Sequence, residues 1–401
     1  MTHEARNEGA EQTNERRTEL ASGDSKPTSG NSNSTGASRR RFLGAVGAAG
    51  LAGASVVGTA SAQTPTLNIL TWEEYGDPAI VKPIEEQVGV NIQITKSTSS
   101  AKMFSSWNAG QYRQYDIAIP NNNYVPKFMA ADLVAPVPQG VVQHQQAMYD
   151  KFRQFQQNQF TSQGDLYGVP IRFGWYGYSY DSRKLSPDHE KSYDALFNAN
   201  YEGANLKGKI VMYDNHFKAM SATALYLGMQ DAFKGQKVTL SESQIQKVKQ
   251  KLIDQKPLLQ GYIAADPTYI KSFKQGNFVV GQSGRNEVIE MRANGTNWPR
   301  MATPKEGSLA WFESAVVSKA SSNKKKAWQV VNQYISPKLG AKLAQVGYSP
   351  SVNPKTSQYL NKRQQDLYGS IKPQRLSEFI PFKAVENERQ WIQAWEEVKT
   401  A

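Results

Sequence analysis

Cysteine is absent from the 401-residue sequence. Its absence excludes disulfide bonds, thiolate metal sites, cysteine nucleophiles and attachment of a lipid to a cysteine. Histidine is scarce, with four residues in the whole chain, and no metalloprotease, serine-hydrolase or phosphate-loop motif stands in a strand–turn–helix context. These absences argue against a secreted enzyme, although a pair of acids for glycoside hydrolysis stays an open alternative. We therefore expect no catalytic residue, no cofactor and no resident metal ion.

Clustered charge is missing as well. The formal net charge is +12, but beyond residue 62 the basic residues are scattered, and the one tight run there is Lys-Lys-Lys at 324–326. Proteins that bind nucleic acid usually present a basic patch or a recognisable module. The sequence shows neither, so we expect no nucleic-acid partner.

Large apolar residues are rare in the first 37 positions, which are rich in Ser, Thr, Asn, Gly and Glu. Such a segment cannot bury enough surface to fold and is expected to be disordered. Residues 38–43 then read Ser-Arg-Arg-Arg-Phe-Leu, and a run of Ala, Gly, Val and Leu continues to Ala-Ser-Ala at 60–62. A charged region, an apolar region and an A-x-A site are typical of an export signal.

The paired arginines make this signal a twin-arginine type. Its glycines and alanines are too weakly hydrophobic for a permanent membrane span, although an uncleaved anchor is an alternative. The mature chain should begin near Gln63 and work in the periplasm or elsewhere outside the cytoplasmic membrane. The residues expected to form the signal are Arg39, Arg40, Phe42, Leu43, Ala60 and Ala62.

The segment after the signal alternates short apolar runs with helical patterns. Residues 67–70, 90–94 and 115–119 have strand patterns, and helical patterns cover 79–88 and 98–109. This order is typical of βαβ units with a parallel sheet. In such sheets ligands bind beyond the carboxyl ends of the strands. The aromatic and acidic residues at 72–75, which follow the first strand, are therefore binding-site candidates.

A second α/β series follows a long aromatic strand predicted over 172–180. We expect strands at 209–212, 278–281 and 310–317, with helices at 218–227 and 241–256 between the first two of these strands. The sequence is long enough for two domains. Two α/β lobes joined by extended crossovers are the architecture that explains this order.

Six segments in this order resemble the substrate-binding proteins of ABC importers, in particular the spermidine/putrescine-binding group. They are 67–75, 115–125, 167–174, 207–214, 304–314 and 346–353. The resemblance implies the two-lobe periplasmic-binding-protein (type II) fold. In that fold each lobe is a mainly parallel sheet flanked by helices, the lobes are joined by hinge crossovers, and the solute is clamped between them. It also implies a monomer that delivers its solute to a membrane permease.

The same resemblance implies the division of the chain. Residues 1–62 would be leader and signal. Lobe one would be 63–180 plus 312–357, and lobe two would be 181–311 plus 358–401.

The polyamine-binding relatives are expected to hold alkyl chains between aromatic rings and ammonium ends with carboxylates, by cation–π contacts and ion pairs. Carried over by position, the resemblance implies a site in which Trp311 stacks and Glu313 grips an amine. The other matching positions are Trp72, Glu73, Tyr75 and Tyr348.

Other positions depart from the polyamine pattern. Asn121 and Asn123 replace a Ser and a Tyr, and Asp214 is one residue out of register with an expected acid. Asn215 and Lys218 stand where two carboxylates are expected, and Gly284-Arg285 stand where a tryptophan and the residue after it are expected. Since buried unpaired charge is costly, a solute with an amine and an anionic end, such as an amino-acid derivative, an opine or a phosphonate, is an alternative to a polyamine. Ferric iron held by tyrosines is a further alternative.

Overall fold

The computed structural model describes residues 63–369 and 373–401. The predicted leader and export signal lie outside these residues. None of the helices in these two ranges combines the length and the hydrophobicity of a membrane span.

The strands of the described residues are short except for two. These are β7 and β14, which are fully buried along their lengths. In chain order the strands are β1 (Thr66–Thr71), β2 (Asn91–Lys96), β3 (Ile117–Ala118), β4 (Val134–Ala135), β5 (Thr161–Ser162), β6 (Asp165–Leu166), β7 (Val169–Asp181), β8 (Asn200–Tyr201), β9 (Ala204–Asn205), β10 (Ile210–Tyr213), β11 (Leu259–Ile263), β12 (Val280–Gly284), β13 (Pro299–Ala302), β14 (Ser308–Ser318) and β15 (Phe379–Pro381).

The helices begin and end at residues that suit helix termini. Asp77 caps the first helix through its side chain, and Gly89 ends it with a positive φ of 68°. In chain order the helices are α1 (Pro78–Val88), α2 (Ser100–Asn108), α3 (Val125–Ala130), α4 (Asp150–Gln159), α5 (His216–Tyr226), α6 (Glu242–Gln255), α7 (Asp266–Lys274), α8 (Arg285–Ala293), α9 (Lys324–Tyr334), α10 (Pro337–Val346), α11 (Lys362–Tyr368), α12 (Pro373–Leu376) and α13 (Glu388–Thr400).

The main sheet has the strand order β11-β10-β12-β7-β14-β3-β1-β2. At one end β1 pairs in parallel with β2 and β3, and at the other β10 pairs in parallel with β11 and β12. Between them β7 and β14 are antiparallel to each other, β7 is antiparallel to β12, and β14 is antiparallel to β3. The predicted α/β class, with parallel sheets flanked by helices and joined by long crossing strands, is confirmed.

Two large hydrophobic cores lie on either side of the crossing strands. The first core contains side chains from β1, β3, α1 and α9, and the second contains side chains from β10, α5, α6 and α13. Along β7 the change of core falls between Trp175 and Tyr176. The exact residues at which each lobe begins and ends stay a prediction.

One predicted strand lies two residues out of place. The pattern at 278–281 predicts a strand, but β12 runs from Val280 to Gly284. Phe278 packs instead against Phe273 and Tyr269, with ring centroids 4.9 and 5.0 Å apart. Tertiary packing of an aromatic residue therefore decides where this strand begins.

Candidate functional site

The candidate site lies on one face of the paired crossing strands. In the register of β7 and β14, Arg172 lies opposite Glu313, and Gly174 lies opposite Trp311. Because side chains alternate along a strand, Arg172, Glu313 and Trp311 share this face. The pairing joins residues that are 141 positions apart in the chain.

Glu313 is engaged in an ion pair with Arg172. The guanidinium donates from Nε to Oε2 at 2.5 Å and from Nη2 to Oε1 at 2.8 Å. Both residues are 4% exposed. A bidentate pair of this kind is the strongest geometry available to a carboxylate and a guanidinium. The carboxylate that the resemblance assigns to a solute amine therefore already holds a cation from its own chain.

Three further residues surround the same guanidinium. Glu74 makes a second ion pair with Nη2. The rings of Tyr75 and Trp311 lie 5.5 and 5.6 Å from its Cζ atom. We call Glu74, Tyr75, Trp311 and Glu313 the Arg172 cage.

Tyr75 is an integral part of this cage. Its hydroxyl donates to Glu313 Oε2 at 2.7 Å, and its side chain is fully buried. Burial and the neighbouring Glu313 carboxylate raise the pKa of Tyr75. The phenol is therefore a hydrogen-bond donor and not a phenolate at neutral pH.

Two glycines make room for this arrangement. A Cβ atom at Gly174 would lie 2.5 Å from the Trp311 indole, and one at Gly347 would lie 2.0 Å from Arg172 Nη1. The carbonyl of Gly347 also accepts a hydrogen bond from that Nη1 at 2.8 Å. Larger residues at either position would displace the ring or the guanidinium.

On the second-core side, Lys218 is the central charge. Asn215 caps α5 by accepting from the Lys218 backbone N–H at 3.0 Å, which places Lys218 in the first turn. Its ammonium lies 3.9 Å from the ring centroid of Tyr213 and 4.5 Å from that of Tyr176. No carboxylate lies within ion-pair distance of it among the described residues.

Two acids lie near Lys218 without pairing with it. The Tyr213 hydroxyl bonds to Glu287 and also donates to Asp266 Oδ1 at 3.1 Å. Glu287 is fully buried, and its burial, reinforced by Asp266, raises the pKa of this carboxyl to about 8. Burial lowers the pKa of the Lys218 ammonium, while Asp266 and Glu287 oppose that shift. At neutral pH Glu287 is therefore protonated.

Arg285 opens α8 beside Trp175, whose ring centroid lies 4.9 Å from the guanidinium. Its Nη2 donates to the carbonyl of Leu367, and its Nη1 is buried without a partner in the described part of the chain. Burial lowers the pKa of Arg285 to about 9, and Arg375 adds repulsion. Trp175 and Tyr176 are adjacent on β7, so Arg285 and Lys218 contact opposite faces of that strand.

Three other predicted residues follow the ends of β1 and β3 in the chain. Trp72 is half-buried, and its Nε1 has no hydrogen-bond partner in the ranges described. Asn121 forms an isolated bridge with Glu313, and the buried Oδ1 of Asn123 also lacks a partner there. Trp311 Nε1 in the Arg172 cage is likewise buried without a partner in the described ranges, so Trp72, Asn123 and Trp311 are all candidates for contact with a solute.

Other predicted residues have contacts elsewhere. The exposed Glu73 pairs with Lys96 at 2.7 Å. Asp214 accepts from Trp395 Nε1 at 3.2 Å and lies 3.5 Å from Lys399, both on α13. Tyr348 lies with its ring 6.5 Å from that of Tyr368 on α11. The structure does not bring the Glu73 or Asp214 side chains to the Arg172 cage or to Lys218.

Sequence reasoning missed several residues of this site. Arg172 was not identified, nor were Tyr176, Tyr213 and Glu287 on the second-core side. Glu74 was one of the acidic candidates at 72–75 but was not preferred to Glu73. A charged residue within an otherwise apolar and aromatic strand was the available signal for Arg172. Asn122, which was passed over between two candidate asparagines, accepts from the Phe312 N–H at 3.0 Å and donates to the Phe382 carbonyl at 2.5 Å.

One ion pair joins the two cores beside the site. Lys127 on α3 lies 2.6 Å from Glu388 on α13, and His216 lies 3.6 Å from the same carboxylate. Helix α3 packs into the first core through Phe128, and α13 packs into the second through Trp391. This contact therefore links a helix of the first core to a helix of the second.

Comparison with known proteins identifies relatives of one kind. A family profile described as bacterial extracellular solute-binding protein matches residues 79–365. The spermidine/putrescine-binding periplasmic protein of Salmonella typhimurium is 20% identical over 301 residues, which are 74% of this chain and 81% of the relative. The putrescine/agmatine-binding protein of Pseudomonas aeruginosa is 21% identical over 309 residues, again 74% and 81% of the two chains.

Solved structures share the fold. A spermidine/putrescine transporter substrate-binding protein from Streptococcus pneumoniae superposes with a TM-score of 0.68 at 20% identity, covering 84% of this chain and 99% of that one. A binding protein from A. tumefaciens in complex with glucopine gives 0.65 at 12% identity, covering 83% and 99%. At these identities the structural likeness establishes the fold alone.

Proposed function

This chain belongs to the bacterial extracellular solute-binding proteins, and from that premise we propose that it clamps a small nitrogenous solute that also carries an anionic group. Members of this family bind a small solute outside the cytoplasmic membrane and deliver it to an ABC permease. They are not enzymes. The proposed clamp lies where β7 and β14 pair. Export by the twin-arginine route would carry the protein across the cytoplasmic membrane.

One observation supports the anionic group above all. Lys218 lies over two tyrosine rings, and no carboxylate within the described ranges pairs with it. A partly buried ammonium without an anion is costly. A carboxylate, phosphonate or phosphate on the solute would supply the missing partner.

The amine of the solute has a partner in the same cluster. Asp266 accepts from Tyr213 and from Asn286 Nδ2 at 3.3 Å, but no cation pairs with it among the residues described. One unpaired cation beside one unpaired carboxylate complements a zwitterion. Trp72 Nε1 and Asn123 Oδ1 would contribute hydrogen bonds from lobe one. We place Tyr75, Trp311 and Glu313 beneath the solute, in the Arg172 cage.

A polyamine is the second candidate. The names of the sequence relatives favour it. However, a polyamine would have to displace Arg172 from Glu313 and lie beside the positive Lys218. Ferric iron held by tyrosines is a third candidate, which a purple tyrosinate–iron colour of the purified protein would reveal.

The proposal is tested by thermal unfolding of the purified exported protein with a panel of solutes. The panel contains putrescine, spermidine, amino acids with charged tails, an aminophosphonate and buffer alone. A ligand at about a hundred times its dissociation constant stabilises by about 2.7 kcal/mol, which raises the midpoint by several degrees. We expect this rise with zwitterionic or anionic solutes, and a rise with polyamines alone would contradict the proposed solute class.

Binding of such a solute should weaken as the pH rises through about 8. Above this pH Glu287 ionises and places a negative charge beside Lys218, and the lowered pKa of Lys218 reduces its own charge in the same direction. Both effects oppose an anion. Calorimetry should show a loss of affinity of up to about tenfold per pH unit above this value, for a solute that does not itself titrate there.

The control for this pH dependence is Glu287→Gln, which removes the titrating carboxyl and keeps an acceptor for Tyr213. Its affinity should fall less steeply with pH than that of the wild type. Equal affinities of the wild type at neutral and alkaline pH would contradict the assignment of the anion to Lys218.

A further inference from the structure

The Arg172 cage has the composition of a binding site for an alkylammonium or guanidinium ion. Two carboxylates, Glu74 and Glu313, and two aromatic rings, Tyr75 and Trp311, converge on one point. Such sets bind free cations by ion pairing and cation–π attraction. Here the cation belongs to the chain itself.

Arg172 fills this set of partners. Its Nε and Nη2 bond to Glu313, Nη2 also pairs with Glu74, and Nη1 bonds to the carbonyl of Gly347. The guanidinium side chain is 5% exposed, and that of Glu313 is also 5% exposed. A solute cation could reach Glu313 only by displacing the arginine.

The surrounding backbone is shaped for this occupant. Gly347 has no side chain where the Arg172 Nη1 lies, and Gly174 has none where the Trp311 ring lies. The backbone around the cage therefore leaves the space that the Arg172 guanidinium and the Trp311 ring need.

We propose that Arg172 is a specificity-determining residue whose guanidinium occupies the amine subsite of lobe one as a built-in cation. The cage then excludes solutes that need a second ammonium subsite there, such as diamines, and leaves recognition to Lys218 and Asp266. This inference deepens the proposed function and rests on it for the identity of the solute, but the filling of the cage can be tested without that solute.

The test is removal of the built-in cation. Arg172→Ala should create a subsite for free cations, so methylguanidinium and putrescine should bind at least about tenfold more tightly to the variant than to the wild type. Binding is measured by calorimetry and by the rise in the unfolding midpoint. The double variant Arg172→Ala/Glu313→Gln should lose this gain, because it lacks the carboxylate that makes the bidentate pair.

Arg183 offers a matched control. It pairs with Asp181 at 2.6 Å and lies 3.9 Å from the ring of Trp298, so it also combines one carboxylate with one ring. Its side chain is exposed and no cage surrounds it. Arg183→Ala should therefore gain no affinity for methylguanidinium.

A milder variant serves if Arg172→Ala does not fold in buffer. Arg172→Val removes the guanidinium and keeps a branched apolar side chain that suits a buried strand. It should also gain affinity for methylguanidinium, and refolding of Arg172→Ala by methylguanidinium would give the same support. The inference is overturned if none of the variants gains cation binding, or if the wild type binds putrescine and Glu313→Gln abolishes it.

The outcomes separate this inference from the proposed function. If Arg172→Ala gains cation binding while the wild type responds to no anionic or zwitterionic solute, the proposed solute class fails and the built-in cation stands. If the wild type responds to those solutes but no Arg172 variant gains cation binding, the proposed class stands and the built-in cation fails.

Discussion

Glu313→Gln is expected to destabilise the protein by about 3–5 kcal/mol, because removing one partner of a buried ion pair leaves the other charge uncompensated. Glu74 keeps one contact with Arg172 and should hold the loss toward the lower end of this range. The change is measured as the free energy of unfolding in urea. The same variant shows whether Glu313 contributes to the stability of the fold or to the binding of the solute.

An exposed pair provides the control for this prediction. Lys305 and Glu190 are 2.6 Å apart, and both side chains are more than half exposed. Glu190→Gln should cost less than about 1 kcal/mol, since solvent screens such pairs. A similar small loss for Glu313→Gln would show that the buried pair contributes little to the fold.

The double variant Arg172→Met/Glu313→Leu distinguishes an uncompensated charge from lost packing. Apolar residues of similar size often replace a buried ion pair at little cost. The double variant should therefore be more stable than Glu313→Gln alone. If it is less stable, the pair contributes net stability that apolar packing does not restore.

The sequence predicted the α/β order and the crossing strands because both follow from patterns within short segments of the chain. Apolar alternation marks strands, and Gly89 marks a helix end. It also placed Trp311 and Glu313 two residues apart, and hence on one face of a strand. Their partner could not be predicted, because the register that sets Arg172 opposite Glu313 joins distant segments.

The choice between neighbouring acids was also beyond the sequence. The 3₁₀ turn Glu73–Gly76 directs Glu73 outward to Lys96 and Glu74 inward to Arg172. Without that turn the two glutamates are equivalent candidates. In the same way, only the packing of α13 shows that Asp214 bonds to Trp395.

The two charge clusters bear on which class of solute suits a site that departs from the polyamine pattern. In the Arg172 cage the carboxylates remain, but Arg172 neutralises one of them inside the protein. In the second cluster Lys218 has no such partner among the described residues. A site with one occupied amine subsite and one unpaired ammonium favours a solute with an anionic end. The inferred anionic end depends on Lys218.

Lys218→Met should therefore nearly abolish solute binding. Truncating one partner of a desolvated charge pair costs about 2–5 kcal/mol of binding free energy, which corresponds to a loss of affinity of about 30-fold to several thousand-fold. The free energy of unfolding in the absence of solute should change little or rise, because the unpaired ammonium disfavours the folded state. Calorimetry with the best solute of the panel and urea unfolding measure the two effects separately.

Lys251 is the matched control, since its ammonium also lies over two aromatic rings, 5.4 Å from Phe197 and 5.2 Å from Tyr226. It belongs to α6 and does not contact Tyr176 or Tyr213. Lys251→Met should bind the solute as tightly as the wild type does.

If both variants bind normally, the anion lies elsewhere. Arg285, whose Nη1 has no partner in the described ranges, then becomes the residue to replace. If Lys218→Met binds polyamines more tightly than the wild type does, repulsion by Lys218 is what excludes them, and the substitution at this position separates this chain from its polyamine-binding relatives.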